Sequence, residues 1–217
     1  MIPFTAEVLF SLYGRYNMAF GPVLAIGFAL CLLALFMALR PFAGSGRAIS
    51  AILAVFWIWI GAIFHFGYMA PLNWGAWIFG AFFIVQGLLL AWLGGARGRL
   101  SFHGEPGLRG TVGLVLFAFA LAYPAMDLLL GHRWPQLQFA GTLPAPTVAV
   151  TFALLLMTHG RAAIALAIIP LAWAVIDGAA AFFLGIWPDV VMAAGAVVAF
   201  ALLLAGRQTS QLSPQPG

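Results

Sequence analysis

Asp177, His65 and Asp127 are the side chains of this sequence best placed to do chemistry, because each stands inside or at the end of a long apolar run. A carboxylate or imidazole held away from water can move a proton, seat a cation or, for the histidine, ligate a metal. Asp177 has the strongest claim. An Asp at mid-membrane costs at least about 2.5–3.5 kcal/mol, and this one has no Arg or Lys near it in sequence. It precedes Gly178-Ala-Ala-Ala, small residues that let another helix come close. Its expected state is pairing with His65 or Arg133, or retention of its proton. His65 lies among aromatic residues, and a bond to a carbonyl or carboxylate explains it at least as well as ligation. Asp127 sits just before His132, where solvation at a helix end suffices. Asp189 follows Pro188 at a helix start, where an acid favours the helix dipole and capping is enough.

Several chemistries lack the residues they need. Haem ligation by two histidines would have to join His65 to His132, since His103 and His159 belong to the other side of the sequence's topology. A zinc site from His65, His132 and an Asp has no diagnostic spacing. Cys31, the one cysteine, makes no internal disulfide and no thiolate cluster, and a free thiol in an apolar run behaves as a small hydrophobe. No nucleophile elbow, phosphate-binding glycine loop or paired acid motif occurs, and Gly94-Gly95-Ala-Arg97-Gly98 follows no strand. No catalytic residue, metal ligand or cofactor is therefore assigned.

The elements that must position these groups are membrane helices. Of the 217 residues, 65% are hydrophobic and 6% charged, whereas a soluble domain has roughly 25% charged. The net charge of +4 comes from scattered arginines without a Lys or a basic run, which excludes nucleic-acid binding. Runs long enough for a core of about 30 Å cover Met18–Leu39, Ala48–Gly67, Asn73–Leu93, Gly110–Leu130, Ala162–Ile186 and Pro188–Ala205. Pro144–Thr158 is shorter. Before the first run, Phe4, Val8, Leu12 and Tyr16 recur at i+4 opposite Glu7, Ser11 and Arg15, the pattern of an amphipathic interfacial helix over residues 1–17. The expected organisation is one all-α bundle of about seven spans over residues 18–206, followed by a disordered tail over 207–217.

The arginines bear on the short segment. If it crosses, Arg40, Arg47, Arg97, Arg99, Arg109, Arg161 and Arg207 share one side against Arg15 and Arg133. If it dips and returns, the split is nearly even. Positive residues concentrate on the cytoplasmic side, so seven spans are expected, N-terminus outside and C-terminus cytoplasmic. Phe139-Ala-Gly141-Thr-Leu-Pro144-Ala-Pro146-Thr147 precedes and opens the segment. Its prolines and glycine predict irregular backbone entering from outside, then a half-helix whose free amides face a cavity. A short tilted span is the alternative. His65, Asp127 and Asp177 all then fall in the outer half, Asp177 about 13 Å below its outer end by helical rise. Asn73 at a span end, Thr147 at the half-helix start and the deep-lying Trp57 complete the candidate ligand-binding set. Of the tryptophans, Trp57 and Trp59 are expected to pack in the bundle and most of the others to form interfacial belts.

Several segments resemble an uncharacterised family of multi-pass bacterial inner-membrane proteins known only as a domain of unknown function. They are Tyr16-Asn17, Trp57-Ile-Trp59-Ile-Gly61-Ala-Ile-Phe64-His65, Pro71-Leu-Asn73-Trp74, Tyr123-Pro124, the Phe139–Thr147 stretch and Pro170-Leu-Ala-Trp173, spread over nearly the whole chain. Gly21 before Pro22 departs from the pattern, where a bulky aromatic is expected, and this should loosen packing of the first span. The resemblance implies a helical bundle in the bacterial inner membrane and no known activity. Three functional classes stay open. The first is a small-solute or ion permease using the outer pocket; the others are a non-catalytic subunit of a membrane complex and a membrane-embedded cofactor- or metal-binding enzyme. The bilayer is the expected partner in each, with self-association undecided.

Overall fold

The computed structural model describes residues 3–104 and 107–212, with side chains as far as Gly206. The chain is helical, and among the described residues β-pairing is limited to an isolated bridge between Phe102 and Thr158. Among the described residues eight helices follow in order. α1 is Ala6–Leu39, α2 Ser45–Met69 and α3 Ala76–Ala96. α4 is Leu108–Leu121, α5 Tyr123–Leu129, α6 Pro144–Leu156, α7 Arg161–Leu184 and α8 Trp187–Leu212. Five of them (α1, α2, α3, α7 and α8) are long and apolar enough to cross a membrane, and the bent pair α4–α5 makes six. Their outward faces carry large apolar side chains such as Ile26, Phe36, Val55, Phe82, Val115, Ile168 and Phe183. Apolar surface on this scale suits lipid and not water.

Several of the arginines gather at one end of the bundle. Arg40 closes α1 and Arg47 opens α2, lying against Gly98. At the same end Arg109 Nη2 donates to Thr158 O (2.8 Å), and His103 N to Met157 O (2.8 Å). Gly206 of α8 packs beside Arg109, so α8 returns there too.

The helix expected over residues 1–17 corresponds to the first part of α1, which runs to a break at Phe20. α1 has 34 residues, roughly 51 Å at the helical rise, and its first part continues into the long apolar run. The helix breaks at Phe20 (φ −123°, ψ 26°), two residues before Pro22, whose ring and missing amide disrupt the preceding turn. Glu7, Ser11 and Arg15 are exposed as expected, but the covered face is Leu9, Phe10, Leu12, Tyr13, Tyr16 and Asn17, and Val8 is exposed. This segment packs onto the bundle. At Gly21 a Cβ would meet nothing within 4 Å. At the other terminus α8 continues to Leu212, past the expected boundary at 206, and residues 213–217 lie outside the described residues.

The centre of the bundle is α6. All 13 of its residues are buried, which makes it a short helix enclosed by protein, and nearly all of the irregular chain from Leu137 to Leu143 is buried with it. Such backbone survives away from water only if its polar groups are satisfied internally, and named side chains do this. Asn17 Nδ2 donates to Pro135 O (2.6 Å) and Leu137 O (2.7 Å), and Tyr16 Oη to Thr142 O (3.0 Å). Asp127 Oδ2 accepts from Gln138 N (2.6 Å), and Thr147 Oγ1 accepts from Gly141 N (2.9 Å). A Cβ on Gly141 (φ +89°) would sit about 3.0 Å from the backbone of Gly27 in α1, so neither the approach nor the φ accepts a side chain without strain.

Candidate functional site

At the end of the bundle away from the arginine cluster, seven stretches of chain enclose a cavity of about 250 Å³. Phe4 and the α1 residues Leu9 and Tyr13 cover it. α2 contributes Phe64, His65 and Met69, and the following loop Asn73. Phe79 of α3 and Pro144 and Ala145 of α6 line it next, facing Trp173, Ile176, Asp177 and Ala180 of α7. Asp189, in the first turn of α8, completes the wall.

α2 changes geometry where it meets this space. From Ile60 to Met69 the backbone is a π-helix, ending with Ala70 N bonded to His65 O (2.8 Å). The wider turn is a rare geometry frequently found at functional positions, and α3 makes the same change over Leu90–Ala96, away from the cavity. Gly61 lets the π-segment approach α3, since a Cβ there would sit 2.7 Å from Gly80 O. His65 is 4% exposed and is packed by the rings of Phe64, Phe79 and Phe83. Neither of its ring nitrogens has a hydrogen-bond partner. The expected pairing of Asp177 with His65 is thus not made, and Asp177 Oδ2 is itself unpartnered. Asp177 reaches the cavity because Gly178 beside it packs against Ala193 of α8 without room for a side chain. The Gly-Ala stretch after Asp177 does admit a neighbouring helix.

Asp189 is more than a cap. It is 2% exposed, its Oδ1 has no partner, and it interacts electrostatically with Asp177 on α7 and Asp127 on α5. Tyr13 is within electrostatic reach of all three aspartates. Tyr123 Oη donates to Pro188 O (3.2 Å), which fixes the start of α8. Asp189 read from sequence as a helix-start acid gave no sign of this company. A signal for Tyr13 did exist, because Leu9, Tyr13, Tyr16 and Asn17 lie on one helical stripe.

His65, Asp177 and Asn73 therefore meet on one cavity, and the other candidates lie elsewhere. Asp127 is 0% exposed and holds Gln138 N, not solvent as expected for a helix-end acid. Thr147 bonds the loop at Gly141 N and Leu143 O. Trp57 Nε1 donates to Thr151 Oγ1 (2.9 Å), tying α2 to α6. These three hold the broken segment in place. Asn73 is partly engaged, its Oδ1 accepting Gly75 N (3.0 Å). Trp173, expected in an interfacial belt, lines the cavity instead. The start of α6 offers less than a half-helix usually does. Pro144 and Pro146 have no amide, and Thr147 N turns back to Leu143 O, so Ala145 carries the one free amide of that turn.

His132 serves another contact. Its ring stacks on Phe10 of α1 (centroids 3.5 Å apart, planes at 13°), and burial lowers its pKa from the ordinary 6.5 against a smaller raising contribution from the Gln136 side chain. Among the described residues no group of three or more His, Cys, Asp or Glu is arranged to hold a metal.

Residues 6–213 match a family described as a family of unknown function (DUF6064). The chain belongs to that family. This agrees with the resemblance read from the sequence, and for the DUF6064 chain the shared fold carries no activity with it. No curated protein and no solved structure matches it.

Proposed function

We propose that this DUF6064 protein crosses the bacterial inner membrane seven times and binds a small solute in the cavity, as a permease does. In this reading the extended chain from Phe139 and the helix α6 together form the fifth crossing. The arginine-rich end faces the cytoplasm and the cavity opens toward the outer half. The arginine gathering supports the sidedness through the positive-inside tendency, and the enclosure of α6 supports a broken span, the arrangement in which transporters build midplane sites.

One observation carries the solute site. His65, Asp177 and Asp189, from three different helices, bring hydrogen-bonding atoms without protein partners to a single cavity beside non-helical backbone. Polar atoms left unpaired in a low-dielectric bundle cost about 1–3 kcal/mol each, a cost that the polar groups of a bound solute would offset. The test is flux in proteoliposomes holding the full chain, with radiolabelled ethylamine, glycine, acetate and glycerol as the panel. A solute of the panel should move faster than in protein-free vesicles, and Asp177→Asn or His65→Phe should remove that excess. Equal flux with and without protein, or flux indifferent to both substitutions, defeats the reading.

A further inference from the structure

We propose that the cavity selects an organic cation: an ammonium group bearing an alkyl or aryl substituent. This deepens the solute-site reading and rests on it.

Charge comes first. Asp177 and Asp189 reach the cavity from separate helices, and no Arg lines it. The nearer arginines, Arg15 and Arg133, have exposed side chains. Asp189 is 2% exposed with an unpartnered Oδ1, and His65 is 4% exposed with two unpartnered ring nitrogens. The site is therefore built from buried groups aimed inward, and its net character is acidic. A carboxylate taken out of water either keeps its proton or meets a compensating positive charge, and a cation in the cavity would favour the ionised form.

The rest of the wall determines which cation. Tyr13, Phe64, Phe79 and Trp173 supply aromatic surface, which attracts ammonium groups through the ring quadrupole. A bare metal ion is a poor fit, because it needs several oxygen ligands converging on one point, and among the described residues no such group exists. An anion fits worse. Helix starts attract anions through free amides, yet prolines at 144 and 146 leave α6 with Ala145 alone. The volume of about 250 Å³ falls just below the range of about 300–1,000 Å³ usual for ligand pockets, so the ligand or its inserted part is small. Both a free amine and the amine of a lipid headgroup have this chemistry.

The experiment is calorimetric titration of the full chain in a neutral detergent with three probes: benzyltrimethylammonium, benzyl alcohol and benzenesulfonate. The cation should bind at least tenfold tighter than the other two, and Asp177→Asn or Asp189→Asn should lower its affinity at least tenfold. Should either variant fail to fold, the ranking of the three probes on the unsubstituted protein still decides. Equal binding of the alcohol, preference for the sulfonate, or no binding of the cation overturns the proposal. Asp177-dependent binding of the alcohol or the sulfonate would overturn the cation class and leave the solute site standing. Repeating the titration in nanodiscs identifies the source of the amine. Weaker cation binding with phosphatidylethanolamine than with phosphatidylglycerol alone supports a headgroup ligand, and equal binding supports a free amine.

Discussion

Asn17 is the side chain on which the broken segment most depends, and replacing it with leucine isolates its contribution. Its Nδ2 donates to two carbonyls, Pro135 O at 2.6 Å and Leu137 O at 2.7 Å, in a residue with no exposed surface. Leucine keeps the branching at Cγ but is bulkier, so Asn17→Leu removes two donors and adds some overpacking; Asn17→Ala, which removes the donors without overpacking, is the control. Each orphaned buried carbonyl costs about 1–3 kcal/mol, which sets an upper figure of roughly 6 kcal/mol for the pair. Two effects reduce it. Asn17 Oδ1 has no partner, so its removal returns part of the loss, and hydrogen bonds in membrane bundles average only about 0.6 kcal/mol by double-mutant cycles. The expected loss is about 2–3 kcal/mol. Reversible unfolding in mixed dodecyl maltoside–SDS micelles, followed by tryptophan fluorescence, measures it. Hydrogen exchange should also rise selectively at the amides of Gln138 and Gly141, whose partners Asp127 and Thr147 hold the same loop. A loss under about 0.5 kcal/mol, with unchanged exchange there, would refute the claim that Asn17 secures the entry to α6.

Gly178→Ala places a methyl against Ala193 and should cost about 1–3 kcal/mol by overpacking. Adding Ala193→Gly should restore most of the thermal stability, and a stable single variant would contradict the α7–α8 contact. Trp57→Phe and Thr151→Val remove the two ends of one hydrogen bond, so their double-mutant cycle should show coupling of about 0.6–1.7 kcal/mol; additive losses would argue against the bond. His132 gives a pH dependence. Its folded pKa lies below 6.5 because of burial, so the folded state favours the neutral ring and the unfolded state takes up the proton first. The stabilisation is complete above pH 6.5 and declines as pH falls below that value. Melting temperatures from pH 8 to 5 should therefore drop more for the unsubstituted protein than for His132→Phe, which keeps a ring for Phe10 to stack on; parallel curves would exclude His132 as the source.

What the sequence determined was set residue by residue. Transfer of a side chain into lipid is a sum of local contributions, so apolar runs such as Met18–Leu39 and Ala162–Ile186 mark helices wherever the rest of the chain lies. The prolines at 144 and 146 declared the short helix for the same reason, since a missing amide is a property of the residue itself. Tertiary structure decided which groups converge. Lipid is as apolar as a protein interior, so hydrophobic periodicity does not mark the inward face of a membrane helix. Nothing local separates Trp173, turned into the cavity, from Trp187, 56% exposed. The same limit hid the folding of α1 over the site, the π-turn at His65, the use of Asp127 as a tether for Gln138, and the meeting of Asp177 with Asp189. Each depends on how one helix is rotated against another, and that is settled by packing and hydrogen bonds between segments far apart in the chain.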